Sequence, residues 1–458
     1  MLGGLVFSAG AVAADAGAET LPEVGVSATS VKDVVVDGYQ AKKSTTATKT
    51  EKALIDVPQS ISVATQELMK DQAVQNLGDV VRYVPGVAQS QGEGNRETFL
   101  FRGQSTTGDF FVDGVRDDTQ YYRDLYNIER VEVLKGPNGM IFGRGGAGGV
   151  INRVTKEAGW QPIRELSLQY GSFDQKRATV DINQAINEVA AFRINAMVED
   201  SNSYRDGVDL QRQGINPTLT LMPSEQTKIV LSAEYFNDDR VADRGIPSNS
   251  SAAVLNGRPA HTNESTFFGN ARKSPTGTEV QSYSALIEHA FDNGVTLRNR
   301  TRYADYDKFY QNVYASGGVQ PNGNVAVGAY RNDTERQNFF NQTDVLYRWK
   351  TGALTHDLLA GVEIGRQHTT NMRLDGVFPA GNTVSLTDPT FRGPVLFQQT
   401  PTTSFNTSTA DIAAVYLQDQ ITFNPHWQAI VGLRYDSFKL DLHDKRPATA
   451  ASDRYLES

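Results

Sequence analysis

The chain has 458 residues, no cysteine, 44 Lys and Arg against 53 Asp and Glu, a formal net charge of −9 and a mean hydropathy of −0.42. The missing cysteine excludes a disulfide scaffold, a thiolate nucleophile and any Cys-ligated zinc or iron–sulfur site, and the acidic balance argues against a nucleic-acid binder held by phosphate contacts. Forty Gly, 18 Tyr and 21 Phe against six Met and three Trp point to strands and turns rather than to a helix bundle.

In chain order, Met1 to Ala14 is an uncharged apolar run, too short for the roughly 20 residues of a membrane-spanning helix. It reads as a signal-peptide remnant (1–14): Ala11-Val12-Ala13 supplies the small-x-small cleavage pattern and Asp15 lies just beyond, although the first basic residue is only Lys32. Export without a helical span leaves the periplasm, secretion or an outer-membrane barrel. Residues 15–50 read as a linker. Inside it, Glu23-Val24-Gly25-Val26-Ser27-Ala28 alternates apolar with small polar residues, a pattern suited to adding a strand to another sheet edge.

From 51 to 160 the texture is that of a compact mixed domain. Ile61-Ser62-Val63 predicts a short strand, Thr65 caps a helix, and Leu77, Val80, Val81 and Val84 predict a second helix over 76–83 that Pro85-Gly86 ends. Strands are expected at 98–102, 109–112 and 128–134, followed by a turn at Gly136-Pro137-Asn138-Gly139.

Beyond Trp160, strands of ten or more residues recur with a period of two. Ala190, Phe192, Ile194, Ala196 and Val198 share one face, with Arg193, Asn195 and Glu199 on the other. Likewise Val295, Leu297 and Tyr303 oppose Arg298, Arg300 and Arg302, and Trp427, Ala429, Val431, Leu433 and Tyr435 oppose Gln428, Arg434 and Asp436. One apolar and one strongly polar face suits a transmembrane barrel, apolar to lipid and polar to the lumen. Eleven strands are expected, starting near 163, 175, 189, 212, 226, 278, 295, 335, 354, 408 and 427. Short turns at 187, 223–224, 292–294, 351–352 and 424–425 alternate with a short loop at Gly171 and long polar loops near 200–211, 239–277, 310–334 and 373–407. Short turns on one rim and long loops on the other are the outer-membrane pattern.

Other chemistries fail on context. Gly143 to Gly148 satisfies G-x-G-x-x-G, but β-branched residues without a helical stripe follow it, so no nucleotide site is expected. The six histidines show no ligand spacing, so no metal site is expected; no Walker A or G-x-S-x-G occurs, and no residue is nominated as catalytic.

The compact domain carries a family likeness. Asp56-Val57-Pro58-Gln59-Ser60-Ile61, Val84-Pro85-Gly86-Val87, Phe101-Arg102-Gly103, Val112-Asp113-Gly114-Val115, Ile128 to Pro137 and Gly148-Gly149-Val150-Ile151-Asn152 stand in order over about 100 residues. With the exported start, the alternating segment and the long-looped strands, they resemble the TonB-dependent outer-membrane siderophore receptors. Phe111 to Asp117 and Arg123 to Glu129 look most like the catecholate branch. The resemblance implies a mainly β fold: an N-terminal α/β plug domain (51–160) followed by a partial antiparallel transmembrane β-barrel (161–458), about eleven of roughly 22 strands, truncated within the barrel.

It implies a monomeric bacterial outer-membrane receptor, not an enzyme. The receptor would have no cofactor of its own, no nucleic-acid partner, and contact with outer-membrane lipid. Its cargo would be a ferric siderophore imported into the periplasm, with haem, cobalamin or a glycan as other ligands of the same family and a passive porin or adhesin as the reading from another class. TonB would pair with Glu23, Val24, Gly25, Val26, Ser27 and Ala28. Arg/Tyr clusters suit an anionic aromatic chelate, so the plug apex expected to touch ligand is Gln91, Arg96, Arg116, Gln120, Tyr121, Tyr122 and Arg123; the alternative role for these residues is to hold the plug to the barrel wall. Arg102 and Lys135 resemble the positions that form plug–barrel ion pairs, and their acidic partners are expected beyond Ser458.

Overall fold

A computed structural model describes residues 5–8, 36–50, 52–136, 138–146, 148–249, 258–424, 426–446 and 454–457. Two bodies follow one another. The first is a plug with a five-stranded mixed sheet, ordered Val115–Arg116, Phe110–Val112, Gly149–Thr155, Ile128–Lys135 and Ser60–Thr65. Thr65 accepts the Leu68 N–H at 3.2 Å to start helix Gln66–Asp71, and the Asn76 side chain accepts the Asp79 N–H at 3.1 Å to start helix Leu77–Val81. These are the side-chain caps that free helical N–H groups require. Leu77, Val80 and Val81 then pack on Phe99, Phe101, Phe110, Val131 and Ile151, all buried. The glycine run at 143–148 leads into strand Gly149–Thr155 and not into a helix, which removes the nucleotide-binding context.

The second body is a wall of eleven long antiparallel strands: β1 (Ile163–Gly171), β2 (Gln175–Ala185), β3 (Ala190–Asn202), β4 (Asp209–Ser224), β5 (Thr227–Val241), β6 (Pro275–Ala290), β7 (Val295–Ala315), β8 (Asn324–Thr351), β9 (Leu354–Val377), β10 (Phe405–Asn424) and β11 (Trp427–Asp444). Each pairs with its sequence neighbours. Leu5–Ser8 adds to the outer side of β1 and Arg454–Glu457 to that of β11, and the sheet does not close on itself among the described residues. The eleven expected starts agree with these strands to within a few residues, the late one near 335 excepted.

Alternation along the wall matches the pleat. On β3, Arg193, Asn195 and Glu199 are buried against the plug while Phe192 and Val198 face outward. Leu168, Ile215, Leu231, Ile287, Val362 and Leu417 are exposed on the same outer face, the apolar band that a lipid-facing wall requires. No described helix is long and apolar enough to cross a membrane.

One outward position breaks the ladder. Pro217 sits inside β4, where it has no N–H to give Ala233 on β5, and the β4–β5 pairing is interrupted at 216 and 217. The Asn216 side-chain amide, on the inner face, donates to the Ala233 carbonyl at 2.6 Å instead.

Two expectations change. The polar stretch 310–334 is not a loop: β7 runs to Ala315 and β8 begins at Asn324, so only 316–323 connects them. Nor are residues 44–50 free linker. Ser44 to Lys49 are buried between plug and wall, because Ser44 donates to Glu132 at 2.6 Å and the Arg298 guanidinium binds the Lys49 carbonyl at 3.0 Å.

Candidate functional site

Charges join plug to wall at three heights. At the short-turn end, the Lys49 ammonium donates to the Tyr416 hydroxyl at 2.7 Å and lies 3.7 Å from Asp344, which also takes Arg298 at 2.9 Å. Lys52 pairs with Asp357 at 2.6 Å.

At mid-height, buried Asp117 is a hub. Its carboxylate accepts from Arg123 Nε at 3.1 Å, Tyr121 at 3.0 Å, Tyr306 of β7 at 2.5 Å and Arg153, with Arg302 of β7 at 3.8 Å. Burial alone would raise the Asp117 carboxyl, but Arg123, Arg153 and Arg302 outweigh it and hold it well below the usual range. Burial, reinforced by the charge of Asp117, pushes the Tyr121 phenol up to about 12, so it stays a donor. Seven residues along, Asp124 binds Arg177 at 2.7 Å and Arg212 at 3.0 Å, both from the wall.

At the long-loop end the plug and wall part to leave a cavity of about 390 Å³. The plug contributes Glu93, Arg96, Asp118 and Gln120; β7 gives Lys308 and Tyr310, β8 gives Tyr330 and Arg336, and β9 gives Arg373. Strand register lines these up: Tyr310, Asn332 and Arg373 sit in one row across three strands, and Lys308, Thr334 and Asn371 in the next. Arg96 pairs with Glu93 at 2.6 Å and Arg336 with Asp118 at 2.6 Å. Lys308 is held by Asn95 Oδ1 at 2.8 Å, and Arg373 lies 4.0 Å from the Tyr330 ring centroid. Three guanidiniums against two carboxylates leave the lining positive, with the Lys308 amine and two phenols beside them. Such a lining takes an anion that carries aromatic or oxygen-rich surface.

Of the residues expected to touch ligand, Arg96 and Gln120 line this cavity. Gln91 is exposed close by and donates to the Asp243 carbonyl at 2.9 Å; Tyr122 lies under the Arg240 guanidinium, 4.1 Å from its ring centroid. Arg116, Tyr121 and Arg123 do not face the cavity. Arg116 is spent on the carbonyls of Gly108, Phe142 and Arg144, and fully buried Arg123 on those of Asp117, Thr119 and Tyr121 as well as on Asp117 itself. Their cations shape the apical loop that presents Asp118 and Gln120. Lys308, Tyr310, Tyr330, Arg336 and Arg373 were missed, because they come together only through strand register.

The ion-pair role expected of Arg102 and Lys135 finds no carboxylate among the described wall residues. Arg102 is exposed, with a left-handed backbone (φ 48°), and Lys135 donates to the Pro85 carbonyl at 3.2 Å. The segment 23–28 lies outside the described residues.

A mixed plug seated against a long-stranded wall, polar inside and apolar outside, defines a plugged outer-membrane barrel. Residues 53–150 match the TonB-dependent Receptor Plug Domain and residues 214–456 the TonB dependent receptor-like, beta-barrel family. The chain belongs to the TonB-dependent receptors of the bacterial outer membrane. It is 30% identical over 450 residues to the probable TonB-dependent receptor BfrD of Bordetella pertussis, covering 92% of this chain and 60% of that protein. It is 28% identical over 431 residues to the catecholate siderophore receptor Fiu of Escherichia coli O6:H1, covering 89% and 56%. The crystal structure of the siderophore receptor PiuA from Acinetobacter baumannii superposes with a TM-score of 0.81 at 26% identity, over 89% of this chain and 62% of that one. The chain thus spans about three fifths of the length of the curated relatives it matches.

Proposed function

We propose that the protein carrying this chain binds a ferric siderophore at the cavity between plug apex and wall and imports it into the periplasm. TonB would draw on the 23–28 segment to move the plug. The observation that carries this reading is the positive, tyrosine-bearing cavity at the long-loop end. Ferric catecholates are anionic and aromatic, so Arg96, Arg336 and Arg373 supply charge while Tyr310 and Tyr330 supply ring faces and phenol hydrogen bonds. The reading assigns no catalytic step to any residue. The ion pairs that cross the plug–wall boundary, Lys52–Asp357, Asp124–Arg177 and Asp118–Arg336 among them, support a plug that separates from the wall as one polar surface from another. Fiu and PiuA, named as siderophore receptors, support the ligand class.

The test is uptake and binding of radiolabelled iron as a ferric catecholate, a ferric hydroxamate or haem by cells expressing the receptor. Saturable, energy-dependent uptake of a ferric siderophore is expected, and deletion of 23–28 should abolish uptake while leaving binding intact. Equal entry of all probes by unsaturable diffusion would replace the reading with a porin.

A further inference from the structure

The three outermost connections, through their described residues 242–249, 258–274, 316–323 and 378–404, share one apolar core. Ala260, Phe268, Val319, Val384 and Phe391 are buried together with Val313 of β7 and Val325 and Val327 of β8. Backbone bridges zip the same segments: Thr383–Ser385 pairs with the start of β8, Leu396–Gln398 with the end of β9, and the Val319 N–H donates to the Ser248 carbonyl at 2.9 Å.

Gly269 fastens two of these loops to each other and to the end of β7. Its N–H donates to the Pro389 carbonyl at 3.0 Å and its carbonyl accepts from Phe391 at 2.7 Å, while the neighbouring Asn270 N–H reaches the Val313 carbonyl at 3.0 Å. With φ at +117°, a β-carbon there would stand 1.8 Å from the Val313 carbonyl oxygen and 2.9 Å from the Tyr314 α-carbon. Only glycine permits this approach. Tyr314 is the next link: the Arg244 guanidinium sits 3.8 Å from its ring centroid and also pairs with Glu93 of the plug, while Tyr330 donates to Glu93 at 2.9 Å. Glu93 and Tyr330 line the cavity.

We propose that Gly269 is a positioning residue: it fastens two outer loops to the end of β7, the 316–323 loop joins them through the Val319 and Gly323 backbone, and the resulting pre-folded cap holds Tyr314, Arg244 and Tyr330 as the outer side of the anion cavity. The proposal rests on the ligand reading for its binding consequence, but the cap itself does not. The loops then act as a single body, and the ligand meets a cavity whose outer side is already formed.

The experiment combines hydrogen exchange by mass spectrometry with binding and uptake of a ferric tris-catecholate, on the full receptor in outer-membrane vesicles and cells. Gly269→Val should speed exchange in 258–274, 313–329 and 378–404 together. It should weaken binding at least tenfold and raise the KM of uptake, with the maximal rate kept. Asn270→Ala, which removes a 2.8 Å bond to the Phe391 carbonyl, should move all of these in the same direction by less. Gly352→Ala, also at positive φ (+62°) with open space around it but in the short turn at the opposite end of the wall, should move none. Faster exchange confined to 258–274, or three freed loops with unchanged binding, would overturn the proposal. If the wild type binds no probe, the ligand reading fails by itself, and unchanged exchange at 310–314 and 328–332 in Gly269→Val would still overturn the cap's hold on the cavity.

Discussion

The plug meets the wall through ions; the outer loops meet one another through Val and Phe. At the first boundary lie Lys49 with Asp344, Asp117 with Arg302 and Tyr306, and Asp124 with Arg177 and Arg212. At the second lie Phe268, Val313, Val325 and Phe391. The two differ in what happens on separation. Charged surfaces pulled apart regain water, which offsets much of the lost attraction. Apolar surfaces pulled apart lose about 25 cal/mol for every Å² exposed and gain nothing in return. On this physical ground the plug boundary is the one that parts and reseals at the lower cost, as the proposed import requires, and the cap is the one that stays whole.

The sharpest way to break that contrast is at the hub. Asp117→Ala strips Arg123, Arg153 and Arg302 of their shared carboxylate, and stranding one side of a buried pair costs roughly 3–5 kcal/mol. Denaturant titration of plug exchange should show it, with the cap untouched; a shift under about 1 kcal/mol would mean that the hub is solvated and the ionic boundary weak. Next comes the cap. Phe268→Ala should cost about 3 kcal/mol of cap stability, read from exchange in 258–274 and 378–404, and leave plug exchange at wild-type rates. Loss of protection in both bodies at once would erase the distinction.

Ligand affinity probes where the two bodies meet. Replacing Arg96 and Arg373 together by Ala is expected to weaken ferric-siderophore binding about tenfold or more, near 1.4 kcal/mol, with surface expression unchanged. Binding titration decides it, and unchanged affinity would move the ligand elsewhere.

Acid should act on the ionic boundary alone. Because its guanidinium neighbours outweigh burial and hold the Asp117 carboxyl below its ordinary value, its stabilisation is complete above the usual carboxylate range. It is lost as pH falls through the lowered value. The difference in plug exchange between the wild type and Asp117→Asn, corrected for intrinsic rates, should thus hold steady above the carboxylate range and shrink only below about pH 4. The smallest effect belongs to Lys70–Glu165, half exposed at the turn end: Lys70→Ala should shift plug stability by less than about 0.5 kcal/mol, and less still in high salt.

How far these features were legible in the residues depends on whether they are local. The helix cap at Thr65, the start of a second helix near Asn76 and the alternation of β3 or β7 are written within a few positions, and the structure has them where they were expected. The upper ends of β7 and β8 have the composition of a loop because Tyr, Asn and Arg crowd them, although Val313, Val325 and Val327 turn inward to the cap. Arg116, Tyr121 and Arg123 have the right chemistry for an anion, yet composition does not distinguish a guanidinium facing a ligand from one facing backbone carbonyls. Burial makes that distinction, and it is set by chain hundreds of residues away. Lys308, Tyr330 and Arg373 carry no local mark at all; they converge only once β7, β8 and β9 are placed in register.

The proline in β4 has a consequence for how this strand can vary among its kin. Residue 217 faces outward and residue 216 inward, so their side chains never share an environment, yet the Asn216 amide answers the Ala233 carbonyl that Pro217 cannot. The two positions form one heritable unit. Losing the amide while keeping the proline strands a carbonyl inside the wall, whereas replacing the proline releases the amide for other duties in the lumen. Drift at these neighbouring positions is therefore directional: 217 changes first, and only then is 216 free to follow.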